Sequence, residues 1–210
     1  MRLDDEPGPL PQDVHQVITD HVSKRADKVD AIILSDYGQG VISQSTIDLA
    51  TKLAGEGKIV CVDSRYRLED FQGVTAVTPN VPEAEAVVGF AIDSPEQALR
   101  AGHALKEKLG AKAVLLTLGR GGMSLFTGAE VSHVDIVGEE EVTDVTGAGD
   151  TVMATFCLAV AAGLGMENAM RLSNCAAGVT VNKSGAATCS PEELTHASIE
   201  ASMELNPWDS

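Results

Sequence analysis

The sequence predicts a three-layer α/β/α sandwich, with helices covering both faces of a mostly parallel central sheet. Short aliphatic runs alternate along the chain with amphipathic segments, which is the pattern of successive βαβ units. The runs show no polar alternation, as is typical of strands buried on both faces. Aromatic residues make up only 3% of the 210 residues, so the core must be aliphatic. We expect one domain spanning residues 1–210.

The first half of the chain supplies the parallel part of the sheet. The buried strands we expect are 31–34, 58–62, 73–77 and 113–117. The helices we expect are 13–25, 43–54 and 94–109, with a short one opening at Pro82. Ser43 and Ser94 are typical N-cap residues, and Gly110 ends the third helix.

The pattern changes after Gly122, where strands at 123–127 and 131–136 flank the turn Thr-Gly-Ala-Glu. Two short strands joined by such a turn predict an antiparallel hairpin at the edge of the sheet. The remainder is predicted to be helical, at 147–162, at 166–181 and from the capping sequence Ser-Pro-Glu-Glu at 190. We find neither a linker nor an internal repeat.

The composition excludes several classes of partner. The formal net charge of −16 disfavours nucleic acid and anionic membrane surfaces. Four scattered cysteines are expected to be reduced thiols, most of them in the core, and the spacing of the five histidines does not suggest a transition-metal site. No apolar stretch has the length of a membrane span, and the acidic N-terminus is unlike a signal peptide, so we expect a cytoplasmic protein.

Polar residues follow the predicted strands at Asp36, Asp63, Asn80 and 117–119. Ligands of open α/β sheets bind beyond the carboxyl ends of the strands. This placement favours an enzyme only modestly, because strand ends are polar in any soluble protein.

The run Thr146-Gly147-Ala148-Gly149-Asp150 opens an apolar helix. Without large side chains, the amides of residues 147–149 are bare at a helix N-terminus, where they can bind an anion. A carboxylate at Asp150 is placed to accept a proton from an attacking hydroxyl. Taken alone, the run is better explained by a glycine turn with Asp150 as a helix-stabilising acid.

The longer string Asp144-Val-Thr-Gly-Ala-Gly-Asp150-Thr-Val-Met-Ala resembles the C-terminal signature of the ribokinase-like (PfkB) carbohydrate kinases. The resemblance implies an ATP-dependent kinase in which Asp150 is the catalytic base and residues 147–149 bind the transferred phosphoryl group. The segment Asn80-Val-Pro-Glu83 is similar to the family's N-x-x-E, which implies that both residues organise Mg²⁺ and phosphates, partly through water.

Two further segments resemble the nucleotide site of the family. The loop Thr117-Leu-Gly119-Arg-Gly-Gly122 is similar to the one near the ribose and phosphates, although any tight connection also needs glycines. The stretch 173–186 resembles the adenine-binding helix and loop, which implies nucleotide contacts by Asn174, Ala177 and Lys183. Close packing between helices is the alternative explanation for the small residues.

Within the family, residues 2–6 and 34–40 and the Asp144-Val-Thr variant resemble the D-glycero-β-D-manno-heptose-7-phosphate kinases. This implies phosphorylation of the anomeric hydroxyl of a sugar phosphate, on the route to ADP-heptose and lipopolysaccharide. Asp36 and Arg65 are the expected substrate contacts besides Asp150. Gln39 stands where these kinases usually carry Lys, and Asp63-Ser-Arg65 replaces their Asp-Pro-Lys.

The resemblance begins midway through a family member, so we expect the chain to be the C-terminal, nucleotide-binding part without the N-terminal strands and β-lid. Alone, the chain is expected to bind ATP with Mg²⁺ but to turn over sugar weakly or not at all. K⁺ near Asp144 and Thr146 and a homodimer are further hypotheses. Two alternatives stay open, namely another PfkB sugar or nucleoside kinase and a non-catalytic nucleotide-binding module.

Overall fold

The computed structural model describes residues 10–137 and 145–204. Its strands are β1 Ala31–Asp36, β2 Ile59–Ser64, β3 Ala76–Val77, β4 Ala113–Thr117, β5 Met123–Thr127 and β6 Glu130–Val134. Its α-helices are α1 Gln12–Arg25, α2 Gln44–Gly55, α3 Val81–Val88, α4 Pro95–Leu109, α5 Ala148–Ala161, α6 Met166–Val181 and α7 Pro191–Glu204.

The six strands form one sheet in chain order, with β1 to β4 parallel and β5 and β6 antiparallel. Neighbouring residues of β2 point to opposite faces, so that Val60 and Val62 pack in one core and Cys61 in the other. The first core includes residues of α2 to α4, and the second includes residues of α5 and α6. The predicted three-layer sandwich and its edge hairpin are confirmed.

The predicted helix caps are also confirmed. The Ser43 side chain accepts a hydrogen bond from the Thr46 amide, and Ser94 caps α4 in the same way. Gly110 ends α4 in the left-handed conformation at φ 58°, which costs glycine little because it has no Cβ.

The strand β3 is shorter than the predicted 73–77. Gly73 has φ 68°, outside the extended region. The Thr75 hydroxyl accepts the hydrogen bond from the Val60 amide at 3.0 Å, so a side chain replaces the backbone partner there. In contrast, β1 and β2 continue two residues beyond the prediction, as Ser35 and Asp36 pair with Asp63 and Ser64. This extension carries Asp36 and Asp63 to the edge where ligands bind.

Cys61, Cys157 and Cys175 are buried free thiols, as expected for small core residues. Cys189 is only partly buried. Among the helices that the structure describes, none is long and apolar enough to cross a membrane.

Candidate active site

Two adjoining cavities open at the carboxyl ends of β1 to β4. The larger has a volume of about 950 Å³ and the smaller about 250 Å³. Asn80, Val145 and Gly149 line both cavities. The junction therefore lies between the N-terminus of α3 and that of α5.

Small residues of α6 form one wall of the larger cavity. Ala177 and Gly178 line it, and a Cβ on Gly178 would lie 2.4 Å from the carbonyl oxygen of Val137. Asn174 donates a hydrogen bond of 2.6 Å to the carbonyl of Asp135, which ties the segment after β6 to α6. The predicted adenine-binding residues Asn174 and Ala177 thus lie in the lining, in a slot that larger side chains would narrow.

The loop after β4 forms the opposite wall. Thr117, Gly119 and Gly122 all line the larger cavity, as does Asn80, whose backbone bridges to Thr117. The amide of Leu118 donates to the Gly122 carbonyl at 2.9 Å, which closes the loop. The glycine-rich loop and the Asn80 segment, predicted separately from the sequence, are neighbours in the fold.

The N-terminus of α5 faces both cavities, and no side chain of the described residues caps it. Its N-cap residue, Gly147, has φ 81° and offers no side chain to the first-turn amides, whereas Ser43, Asn80 and Ser94 cap α2, α3 and α4. Helix geometry leaves the Gly149 amide without an intrahelical acceptor. Uncapped amides at the positive end of a helix dipole can bind a phosphate group.

Asn80 and Glu83 form a capping box at the start of α3. Asn80 Oδ1 accepts from the Glu83 amide, and Glu83 Oε2 accepts from the Asn80 amide, each at 3.0 Å. The reciprocal pair fixes both side chains beside the smaller cavity, which both residues line. Glu83 Oε1 takes no part in the box, so one carboxylate oxygen is left to face a cation or its water shell.

The smaller cavity is acidic. Four carboxylates, those of Asp36, Asp63, Glu83 and Asp150, line it together with the cation of Arg65. Burial, followed by the nearby charges of Glu83 and Asp150, raises the pKa of Asp63 from 3.8 to about 6, against the opposing effect of Arg65. The sequence identified Asp63 as a polar strand end and as part of the Asp63-Ser-Arg65 segment, but not as a site residue.

We expect Asp63→Asn to stabilise the protein at alkaline pH and not in acid. The pKa of Asp63 is higher in the folded state, so protonation of this carboxyl favours folding. The contribution to the free energy of unfolding is fully present below about pH 4 and is lost as the pH rises through about 6. At pH 8, removing the charge should raise the free energy of unfolding by about 2 kcal/mol, which corresponds to a melting temperature roughly 6 °C higher. Thermal unfolding of both proteins at pH 4 and pH 8 measures this, and equal shifts at the two pH values would contradict it.

Asp150 lies in the first turn of α5, where Tyr37 contacts it. The Tyr37 hydroxyl is 2.7 Å from both Asp150 Oδ1 and Oδ2, to which it donates. This hydrogen bond, followed by burial and the Asp150 charge, raises the pKa of Tyr37 above its usual 10.0. Sequence reasoning did not find Tyr37 as a site residue, because 113 positions separate the partners.

The two remaining predicted substrate contacts differ in their freedom to bind a ligand. Arg65 is exposed at the mouth of the smaller cavity. Asp36 lines the same cavity but is buried, and its oxygens accept from the Gly38 amide and the Ser64 hydroxyl, both at 3.0 Å. Its hydrogen bonds therefore stabilise the turn that follows β1.

Lys183 is absent from the lining of both cavities. Its ammonium group forms an ion pair of 2.6 Å with Glu193 and donates to the Thr188 carbonyl at 2.8 Å. In this structure Lys183 therefore connects the end of α6 to α7, and its nucleotide contact remains a prediction. The motif residues 2–6 and Asp144 lie outside the described residues.

The donor set of the site fits Mg²⁺ through water and phosphate rather than in a protein cage. Within residues 10–137 and 145–204, no three His, Cys, Asp or Glu residues are grouped so as to hold a metal ion. Mg²⁺ commonly keeps several waters and takes one or two carboxylates plus phosphate oxygens. Glu83 and Asn80 are the residues that would contribute if Mg²⁺ bound here.

Residues 10–193 match the pfkB family of carbohydrate kinases. The chain is 39% identical over 201 residues to the bifunctional protein HldE of Pelobacter propionicus, covering 94% of this chain and 41% of that protein. It is 40% identical over 193 residues to the HldE of Geobacter sulfurreducens, covering 90% of this chain and 39% of that protein. The chain thus spans about two fifths of the length of these relatives.

Solved structures support the fold. The phosphofructokinase-2 of Escherichia coli in complex with potassium superposes with a TM-score of 0.80 at 21% identity, over 92% of this chain and 64% of that one. The ribokinase of Arabidopsis thaliana complexed with ribose and ATP gives a TM-score of 0.72 at 24% identity, over 91% and 60%. The ribokinase-like fold and the resemblance inferred from the motifs are confirmed, and the chain belongs to the pfkB family of carbohydrate kinases.

Proposed function

We propose that this chain forms the nucleotide-binding and phosphoryl-transfer part of an ATP-dependent sugar kinase that acts on the anomeric hydroxyl of D-glycero-β-D-manno-heptose 7-phosphate. One observation carries the proposal. Asp150, the expected base, lies in the first turn of a helix whose uncapped N-terminus sits where a large cavity adjoins a small acidic one. A donor in one cavity and an acceptor in the other would meet at this carboxylate.

The larger cavity suits a nucleotide. Its volume of about 950 Å³ lies at the upper end of the usual range for small-molecule pockets. Its walls combine apolar and small residues, among them Val152, Ala177 and Val181, with the glycine loop that closes at Gly122. The base would lie among the apolar residues, and the phosphates would extend towards the amides of α5.

The smaller cavity suits the reacting end of a sugar. Asp150 would take the proton from the acceptor hydroxyl as the oxygen–phosphorus bond forms, and the α5 amides would hold the transferred phosphoryl group. Mg²⁺ bound beside Asn80 and Glu83 would neutralise phosphate charge. Arg65 offers a fork of donors to the phosphate already on the sugar.

The choice of heptose 7-phosphate rests on the motifs at 34–40 and around Asp144, and on relatives named HldE. Gln39 replaces a cation usual in that subfamily, so Arg65 would carry more of the phosphate binding. K⁺ dependence stays a prediction, since Asp144 lies outside the described residues.

A panel of acceptors tests the proposal. In a full-length version of the kinase, transfer of labelled phosphate from ATP is measured with heptose 7-phosphate, fructose 6-phosphate, ribose, fructose and a nucleoside, each with and without Mg²⁺. We expect Mg²⁺-dependent transfer that is fastest with heptose 7-phosphate. Transfer only to unphosphorylated sugars or to the nucleoside would reject the heptose assignment while keeping the kinase.

A further inference from the structure

The hydrogen bond between Tyr37 and Asp150 joins the end of β1 to the start of α5 across the smaller cavity. One hydroxyl lies 2.7 Å from each oxygen of the carboxylate. Both side chains are exposed to the cavity, and the Tyr37 side chain is half exposed, at 51%. Neither group is needed to fill the core, so the contact has little to do with packing.

The turn after β1 directs Tyr37 towards α5. Asp36, buried beneath, accepts from the Gly38 amide and from the Ser64 hydroxyl. Gly38 has φ 72°, and a Cβ there would lie 2.4 Å from the ring of Tyr66, so only glycine lets that ring cover the turn. One buried and one partly buried hydrogen bond, together with a glycine that has no Cβ, therefore fix the position of the residue that follows Asp36.

We propose that Tyr37 is a positioning residue, which holds the Asp150 carboxylate in one orientation across the acceptor cavity. This inference rests on the proposed function, because it assigns Tyr37 a task for the same base. An Asp side chain in a first helical turn can rotate about two bonds. A donor on the opposite side of the cavity selects the rotamer that faces the acceptor.

The geometry leaves Asp150 able to react. A carboxylate has about four lone-pair positions, and the Tyr37 hydroxyl fills the space between the two oxygens. An acceptor hydroxyl can approach the far side of one oxygen while Tyr37 keeps the other. The phenol keeps its own proton throughout, since the neighbouring carboxylate raises its pKa, and the acceptor's proton passes to Asp150.

The first test concerns the contact itself and needs no activity. The chain has two tyrosines, Tyr37 and Tyr66, so Tyr66→Phe leaves a single phenol to follow by ¹³C NMR of tyrosine labelled at Cζ. In this background, Asp150→Ala is expected to shift the Tyr37 resonance at pH 7.5 and to lower the pH at which the phenol titrates. An unchanged resonance at pH 7.5 would overturn the inference, whatever the protein's catalytic function.

The second test separates positioning from structure. Tyr37→Phe keeps the ring and removes only the donor, so we expect a fall in kcat of about 10-fold with an ATP affinity within twofold of the unsubstituted protein. Tyr66→Phe is the matched control and should leave kcat within twofold. These rates are measured in a full-length version of the kinase. A Tyr37→Phe protein with unchanged kcat would overturn the positioning role, and an unsubstituted full-length protein without kinase activity would instead count against the proposed function.

Discussion

In a full-length version of the kinase, replacing Asp150 with Asn is expected to lower kcat by roughly 10³- to 10⁴-fold and to leave ATP affinity nearly unchanged. General-base catalysis by a positioned side chain contributes about 10²- to 10⁴-fold, and Asn has the shape of Asp without its basicity. The α5 amides and the walls of the larger cavity remain intact, so the nucleotide should still bind. Steady-state kinetics and calorimetry on the same protein preparation measure the two effects separately.

Asp48 on α2 provides a matched control for this substitution. It is also an exposed carboxylate in a helix, and it accepts a hydrogen bond from the Gln44 side chain at 2.9 Å. It does not line either cavity. Asp48→Asn should keep kcat within twofold. An Asp150→Asn protein that turns over within threefold of the unsubstituted protein would show that another group accepts the proton.

Replacing Gly122 with Ala is expected to be the most destabilising change in the glycine-rich loop at 117–122. Gly122 has φ 74° and ψ −136°, a combination that residues with a Cβ rarely adopt. A Cβ would also lie 1.9 Å from the Val134 carbonyl oxygen, which is backbone and cannot rotate away. The loop and the end of β6 would have to separate, at a cost of about 3 kcal/mol, or roughly 10 °C in melting temperature.

A substitution at Gly128, in the turn of the β5–β6 hairpin, is a control that separates backbone strain from steric overlap. Its φ of 70° is close to that of Gly122, but a Cβ there would meet no atom within 4 Å. Gly128→Ala should therefore cost only about 1 kcal/mol, or roughly 3 °C. Equal losses in the two variants, measured by thermal unfolding, would contradict the overlap at Val134. Only Gly122→Ala should also weaken ATP binding, since Gly128 lies outside the cavity lining.

The parts of the fold that were predicted correctly are those that depend on local signals in the sequence. Caps at Ser43 and Ser94 and aliphatic runs without polar alternation act within a few residues, so the order and type of the elements could be inferred from sequence. The strand β3 was predicted too long because the Thr75 hydroxyl, not a backbone group, accepts from Val60. When a side chain accepts a hydrogen bond in place of a backbone carbonyl of the sheet, the sequence shows no periodic pattern that reveals it.

The site shows the same division between local and distant information. The α5 N-terminus and the Asn80–Glu83 segment are contiguous motifs, and the structure places both beside the cavities. The contact of Tyr37 with Asp150 and the raised pKa of Asp63 arise from groups brought together by the sheet. Lys183 lies in a motif that predicts a nucleotide contact, but the motif gave no sign of the ion pair that Lys183 forms with Glu193.

Binding of ATP with Mg²⁺ to this chain, measured by titration calorimetry, tests the central claim most directly. The account predicts one nucleotide per chain and a loss of affinity of more than 10-fold in Ala177→Trp, which fills the larger cavity. Asn168→Trp, on the exposed surface of the same helix, should bind as the unsubstituted chain does. A chain that does not bind ATP, or that binds it equally well after Ala177→Trp, would contradict the assignment of the larger cavity to the nucleotide.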